Sequence, residues 1–351
     1  MPATRVSPKP AAPPQKAYAA AGVDVDLGNR VKSRIHDLVK ATHGPEVLGK
    51  IGGFGGLFKA DFRGMREPVL VSSVDGVGTK LKIAFALDRH DTVGQDLVNH
   101  CINDIAVIGA RPLFFLDYIG AERLDPRVFG QLIKGFTKAC KEGGCALVGG
   151  ETAQMPGMYQ PGEYDLAGTI VGVVDRRRML DGSRIRPGDL VIGLPSNGLH
   201  TNGYSLARKV LLEQMGLRLS DKPAGLTKTL GGELLRVHRN YQPLLAGLPA
   251  NAVKGLAHIT GGGLIDNLPR VLPENCDAVF ETNSWTVPPI FRLIEQGGKV
   301  DREEMYQVFN MGIGMTVVAS AAMAPGLAKQ LKGRLIGRIE KGSGRVRLRF
   351  P

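Results

Sequence analysis

The sequence of 351 residues predicts an α/β chain of mixed α+β character, with mixed sheets flanked by helices and two domains. Three observations carry this. Short apolar runs of strand length alternate with helix-length amphipathic stretches through the first half. Residues 176–189 turn charged and lose their apolar runs, after which the mixed pattern resumes. The chain also exceeds the length at which a single hydrophobic core stops growing. The expected divisions are a Pro-rich tail over 1–17, an N-terminal domain over 18–182 and a C-terminal domain over 183–351.

Each element has its own reason. The tail is rich in Pro and Ala, has no apolar core for a signal peptide, and reads as disordered. Val31, Ile35, Leu38 and Val39 recur at helical spacing, so a first helix ends before His43-Gly44-Pro45. The run from Ile51 to Leu57 holds too much glycine for a regular element. Residues 68–74 read as a strand and 81–87 as a further apolar segment. Over 91–110, Leu97, Cys101, Ile105 and Ile108 make an apolar helical stripe, and Asp96, Asn99, His100 and Asn103 a polar one. Pro112 stops that helix. A strand over 114–118, a helix over 127–142 and strands over 145–148 and 167–174 follow. In the second half the pattern gives strands over 190–194, 253–258 and 315–319 and helices over 205–215, 262–270 and 287–296. The basic stretch 332–349 alternates charge with Leu, Ile and Val, as an exposed strand pair would.

Composition narrows the function classes. The hydrophobic content of 43% and charged content of 22% are those of an ordinary globular protein. No apolar run approaches the roughly 18 residues of a membrane span. Cys101, Cys140, Cys145 and Cys276 form no CxxC pair, which points to reduced thiols in a cytoplasmic enzyme. The net charge of +12 raises nucleic acid as a partner, yet the basic residues are scattered and no aromatics interleave with them. A positive field that draws in phosphorylated small molecules accounts for the charge.

Three apolar segments carry an acid among small residues: Asp75 beside Gly76, Asp104 after Asn103, and Glu151 after Gly149-Gly150. Glycine beside an acid lets backbone approach a ligand closely. Acids so placed suit Mg²⁺, which takes one or two carboxylates and fills its shell with water and phosphate oxygens. The expectation is therefore chemistry on a nucleoside triphosphate. Asp75-Gly-Val-Gly-Thr-Lys80 fails the P-loop spacing, but Asp75 and Lys80 would supply a metal ligand and a phosphate cation at one turn; a plain strand-to-helix turn is the alternative. Gly52, Gly53, Phe54, Gly55 and Gly56 are either a connector or a flap whose N–H groups wrap phosphates. Residues 194–205 form a polar loop feeding a helix, where a ribose phosphate could sit. His200 and His258 each stand beside a glycine-flanked helix start, as structural histidines or as acid–base groups.

Read in order, these blocks form a signature. Gly52-Gly-Phe-Gly55, Asp75-Gly-Val-Gly-Thr-Lys80, Asn103-Asp104, Phe114-Phe-Leu-Asp-Tyr118, Leu147-Val-Gly-Gly-Glu-Thr152, Met155-Pro-Gly-Met-Tyr159, His200 to Ser205, His258-Ile-Thr-Gly-Gly-Gly263 and Phe309-Asn310 resemble the aminoimidazole ribonucleotide (AIR) synthetase family, from about Tyr18 to the C-terminus. The resemblance implies a two-domain AIR-synthetase-like fold, a homodimer built through N-terminal strands that include 114–116, and no nucleic-acid or membrane partner. It implies ATP-dependent closure of formylglycinamidine ribonucleotide (FGAM) to AIR, with ADP and phosphate released. Carried over residue by residue, Asp75, Asp104 and Glu151 would be metal ligands for Mg²⁺. The 52–56 flap, Lys80 and Asn103 would hold ATP. Asn202 and Ser205 would face substrate, and His200, His258 and Asp104 would serve catalysis.

The chain departs from the pattern at Gln154 and Asp266, each where Glu is usual, and at Met311, where Cys is usual. It also reads Val237-His238-Arg239-Asn240 where Pro-Thr-Arg/Lys-Ile is expected. Selenophosphate synthetases place a Cys near the glycine loop, whereas no Cys precedes Cys101 here. The hydrogenase-maturation dehydratases end in Cys, whereas this sequence ends Arg349-Phe350-Pro351. A non-catalytic nucleotide-binding module is the reading from another class, and acids at all three positions weigh against it.

Overall fold

The structure, a computed structural model, describes residues 16–249 and 251–351, so the expected disordered tail lies, up to residue 15, outside the described residues. The first sheet has four strands: β1 (Pro68–Gly76), β2 (Arg111–Ala121), β3 (Ala146–Gln154) and β4 (Tyr164–Asp175), in the order β1-β4-β2-β3. The second has six: β5 (Leu190–Pro195), β6 (Gly255–His258), β7 (Cys276–Glu281), β8 (Ile313–Ala319), β9 (Arg334–Lys341) and β10 (Val346–Arg349), in the order β10-β7-β9-β5-β8-β6. Both sheets mix parallel and antiparallel pairs, and the charged stretch 176–189 lies between them.

The helices of the first half are α1 (Ala17–Ala20), α2 (Val25–Lys40), α3 (Leu81–Ala86), α4 (Asp91–Ala106) and α5 (Pro126–Gly143). Capping sets their ends. The Asp24 carboxylate accepts the Leu27 N–H at the start of α2, and Asp125 does the same for Arg127 and Val128 ahead of Pro126 in α5. Gly144 closes α5 at φ +68°, a conformation that glycine adopts without strain. The helices α4 and α5 cross with their backbones nearly touching: a Cβ on Gly94 would lie 2.6 Å from the Leu132 carbonyl oxygen. One sheet face packs on this pair through Phe115, Ile119, Ile170, Leu97, Ile102, Leu132 and Phe136.

Among the described residues the other face of the four-stranded sheet is only partly covered, with Leu70 62% and Val74 69% exposed and Phe114 packed on Phe58 at 5.3 Å between centroids. Registered rows on it run Ser72–Val171–Phe114 and Val74–Thr169–Leu116.

Several expectations change. The polar stripe of α4 is buried like the apolar one, because it docks on the second half of the chain. The helix expected over 205–215 is an α-turn, Tyr204–Arg208, continued by a π-turn, Lys209–Gln214. The two basic C-terminal strands do not pair with each other; β7 lies between them, antiparallel to β9 and parallel to β10. The strand β3 runs on through Gly149-Gly150-Glu151 to Gln154, so those glycines lie within a strand rather than at its end.

Candidate active site

The buried polar stripe of α4 builds the junction between the two halves. Asp96 Oδ1 accepts the backbone N–H of His238 at 2.6 Å. Asn99 Nδ2 donates to the His238 carbonyl at 2.8 Å. Asn103 Nδ2 donates to the Arg239 carbonyl and its Oδ1 accepts the Tyr241 N–H, each at 2.8 Å. Asn103 therefore splints the 239–241 segment from a wholly buried position, and not from a surface that would meet ATP as expected.

Lys80 also departs from expectation. Its side chain is fully buried, with Nζ 2.7 Å from Asp96 Oδ2. It donates to the His200 carbonyl at 3.0 Å and to the Arg236 carbonyl at 2.7 Å. Nζ thus faces an ion-pair partner and two carbonyl acceptors inside the junction, and its complete burial holds it away from a phosphate. Burial works against both charges of the pair, lowering the Lys80 pKa and raising that of Asp96. His200 adopts φ +63°, a left-handed conformation uncommon outside glycine, in the turn that gives its carbonyl to Lys80.

Beside this splint stand the acids. Asp75 projects from the end of β1 and Asp104 from α4, and both reach the same imidazole. His100 Nε2 lies 2.9 Å from Asp75 Oδ2 and 3.8 Å from Asp104 Oδ2. Asp104 Oδ1 accepts from His258 Nδ1 at 2.8 Å, and its Oδ2 accepts from Ser73 Oγ at 3.1 Å. Asp75 Oδ1 accepts the Gly76 N–H at 2.6 Å. Their side chains remain 41% and 25% exposed, so the acids face outward from a wall of buried histidines.

That wall is continuous. His258 Nε2 lies 2.9 Å from His238 Nε2, and His238 Nδ1 lies 3.3 Å from Thr201 Oγ1. Thr201 Oγ1 in turn lies 2.8 Å from His100 Nδ1. His200 stacks on His238 at 4.1 Å between centroids, with both its ring nitrogens buried and unpartnered. Neither His200 nor His258 turns a ring nitrogen toward open space, so the acids stand between these imidazoles and any ligand. The histidines that sequence reasoning passed over are His100 and His238. The first was visible only as one member of the polar stripe of α4, and the second as one residue of an atypical segment.

Electrostatics follow the contacts. Burial raises the Asp75 and Asp104 carboxyls, but His100 and the Gly76 N–H for the first, and His258 for the second, outweigh it and hold both below the usual range. Burial lowers His100, and its carboxylate neighbours reverse the sign, leaving it raised. Burial keeps His200 and His238 well below an ordinary histidine and lowers His258 as well.

Glu151 does not join the pair. Asp75, Gly168, Asp117 and Gly150 lie in one registered row across the sheet, which puts Glu151 three strands from Gly76, roughly 14 Å away at about 4.8 Å per strand. It stands on the open face, whereas Asp75 points to the helices. The 52–56 loop lies toward the same edge: a Cβ on Gly56 would meet Val148 of β3 at 2.7 Å, and Phe54 is 117% exposed. Ser205 is exposed, with Oγ 3.1 Å from Thr79 Oγ1, and Asn202 keeps a buried Nδ2 without a partner. Among the departures, Gln154 holds Leu124 N–H and the Asp24 carbonyl, and the Met311 carbonyl accepts the Trp285 indole N–H.

His100, Asp104 and His258 each offer a ligand atom, all within 4.8 Å of one another. The imidazole nitrogens, however, are engaged with Asp75, Thr201, Asp104 and His238. The carboxylates are the better metal donors, since hydrogen bonds on one side leave lone pairs free on the exposed side. Two hard, oriented, partly exposed carboxylates fit Mg²⁺.

Comparison with known proteins follows the same division. The model of the AIR synthase related protein N-terminal domain matches residues 62–174, and that of the C-terminal domain matches 186–349. The phosphoribosylformylglycinamidine cyclo-ligase of Citrifermentans bemidjiense is 54% identical over 317 residues, covering 90% of this chain and 91% of the relative. That of Geobacillus kaustophilus is 50% identical over 335 residues, covering 94% and 97%. Among solved structures, thiamine-monophosphate kinase from Stenotrophomonas maltophilia K279a superposes with a TM-score of 0.66 at 21% identity, covering 90% of this chain and 95% of that one. The hydrogenase maturation protein HypE in complex with ATP gives 0.67 at 17%, covering 92% and 91%. These two likenesses establish the fold. Identity near one half across both domains establishes more: the chain belongs to the phosphoribosylformylglycinamidine cyclo-ligase family.

Proposed function

We propose that this protein closes the imidazole ring of AIR from FGAM at the expense of ATP, releasing ADP and phosphate, in the cytoplasm. The observation that carries the reading is identity of about one half with so-named relatives over nearly the whole chain, with Asp75 and Asp104 set side by side at the junction of the two halves.

In this reaction the formyl oxygen of FGAM takes the γ-phosphoryl group, the amidine nitrogen attacks the activated carbon, and the oxygen leaves as phosphate. Asp75 and Asp104 would hold Mg²⁺, which when bound would supply positive charge to offset that of the phosphates. The protein's own part is positioning. His100, His258 and Ser73 fix the two carboxylates, so the triphosphate meets acids already aimed. Asn202, with its unpartnered Nδ2, and Ser205 at the rim would orient the substrate. Holding nitrogen and carbon at attack distance removes at best on the order of 7–11 kcal/mol of barrier.

The open apolar face of the four-stranded sheet supports a homodimer in which a second copy covers Leu70, Val74, Phe114 and Leu116. Glu151 and the 52–56 loop border that face, so their metal and nucleotide roles would be exercised with the second copy in place. The reading is tested by following AIR and phosphate together: both appear only when FGAM and ATP are present. ATP hydrolysis indifferent to FGAM would overturn it.

A further inference from the structure

His238 lies in the segment that docks on the buried polar stripe of α4. It is wholly buried, and every polar group on it is engaged. The hydrogen bonds around it can be ordered by elementary donor counting. The Asp104 carboxylate only accepts, so His258 carries its proton on Nδ1. His258 Nε2 and His238 Nε2 face each other at 2.9 Å and share one proton between them. A neutral imidazole has one N–H, and His258 commits its own to Asp104, so the shared proton belongs to His238. His238 Nδ1 is then an acceptor for the Thr201 hydroxyl, whose oxygen accepts from His100 Nδ1. His100 Nε2 donates to Asp75 at the end of the series, so His100, flanked by two carboxylates, carries a proton on each nitrogen. Donors and acceptors match at every step from Asp104 round to Asp75.

We propose that His238 is a positioning residue for the acid pair: by donating Nε2–H to His258 it fixes that ring's tautomer and rotation, and through it the aim of the Asp104 carboxylate. Without this donor, His258 Nε2 becomes a buried acceptor with no partner, and a ring flip that turns Nδ1 away from Asp104 is no longer opposed. The effect on activity rests on Asp104 facing the ligand, as in the proposed function; the effect on His258 does not.

Three variants of the full-length protein separate this role from simple packing. Glutamine places its amide nitrogen near the Nε2 of the histidine it replaces, asparagine near Nδ1, and phenylalanine supplies only volume. His238→Gln keeps kcat within about threefold, whereas His238→Asn and His238→Phe lose roughly 10–100-fold, the range for groups that orient a metal-binding side chain. Imidazole ¹⁵N spectra of the ligand-free protein give the readout independent of activity. The parent shows scalar coupling across one Nε2–H···Nε2 histidine pair and a single His258 tautomer protonated on Nδ1. The Asn variant loses the coupling and shows mixed tautomers, and the Gln variant keeps the single tautomer. Equal losses in the Gln and Asn variants, no loss in either, or no coupling in the parent would overturn the proposal. If the Phe variant fails to fold, the Gln–Asn contrast still decides. If the parent makes no AIR, the spectra alone test the His238–His258 bond.

Discussion

Replacing Lys80 by Met leaves the Asp96 carboxylate buried with no countercharge and strips two carbonyls, those of His200 and Arg236, of their donor. Removing one partner of a buried ion pair costs roughly 3–5 kcal/mol. The lower end applies here, because Met preserves the aliphatic packing of the lysine stem and Asp96 keeps the His238 N–H. Lys80→Met should therefore destabilise the protein by about 3 kcal/mol, seen as a lower urea midpoint at unchanged slope. The double variant Lys80→Met/Asp96→Asn removes both charges while Asn still accepts from His238, and should recover more than half of that loss. Binding of a non-hydrolysable ATP analogue, measured by calorimetry on the folded variant, should change by less than about threefold, since Lys80 is buried in the junction and bonded to two carbonyls there. A variant as stable as the parent that has lost its nucleotide affinity would refute this reasoning and return Lys80 to the phosphates.

Two further outcomes follow from the first sheet. Burial, with Glu151 nearby, raises the Asp117 carboxyl to about 7, so the folded state binds this proton more tightly than the unfolded chain does. Its contribution is intact below the unfolded pKa near 4 and is lost as pH rises to about 7, so Asp117→Asn should raise the unfolding free energy more at pH 8 than at pH 5, by at most about 3 kcal/mol; an equal gain at both would contradict the shift. The double change Leu70→Glu/Val74→Glu places charges on the open face and should yield monomers by sedimentation while leaving the fold intact by circular dichroism; an unchanged dimer would place the interface elsewhere.

Local patterns in the sequence announced the acids but not their company. Asp75 and Asp104 stood out because each breaks an apolar segment beside small residues. Their meeting depends on α4 crossing the end of β1, which no local pattern records. The turn that holds Lys80 resembled a phosphate loop in composition, but its acceptors lie 120 and 156 residues further along the chain. The polar stripe of α4 was legible as a stripe, yet amphipathic periodicity cannot distinguish a solvated face from one buried against another domain. Glu151 was misplaced because Gly149-Gly150 looked like the end of a strand; pairing with β2 carries β3 through both glycines. The alternation in β9 and β10 was visible, but β7 inserts between them and had no comparable signal of its own.

Asp75 and Asp104 would grip the triphosphate through Mg²⁺, and a crystal structure with Mg²⁺ and a non-hydrolysable ATP analogue tests this most directly. Metal density should lie against the outward oxygens of both carboxylates, with His100 and His258 still bonded behind them. Phosphates seated elsewhere, with both acids touching only protein and water, would contradict it.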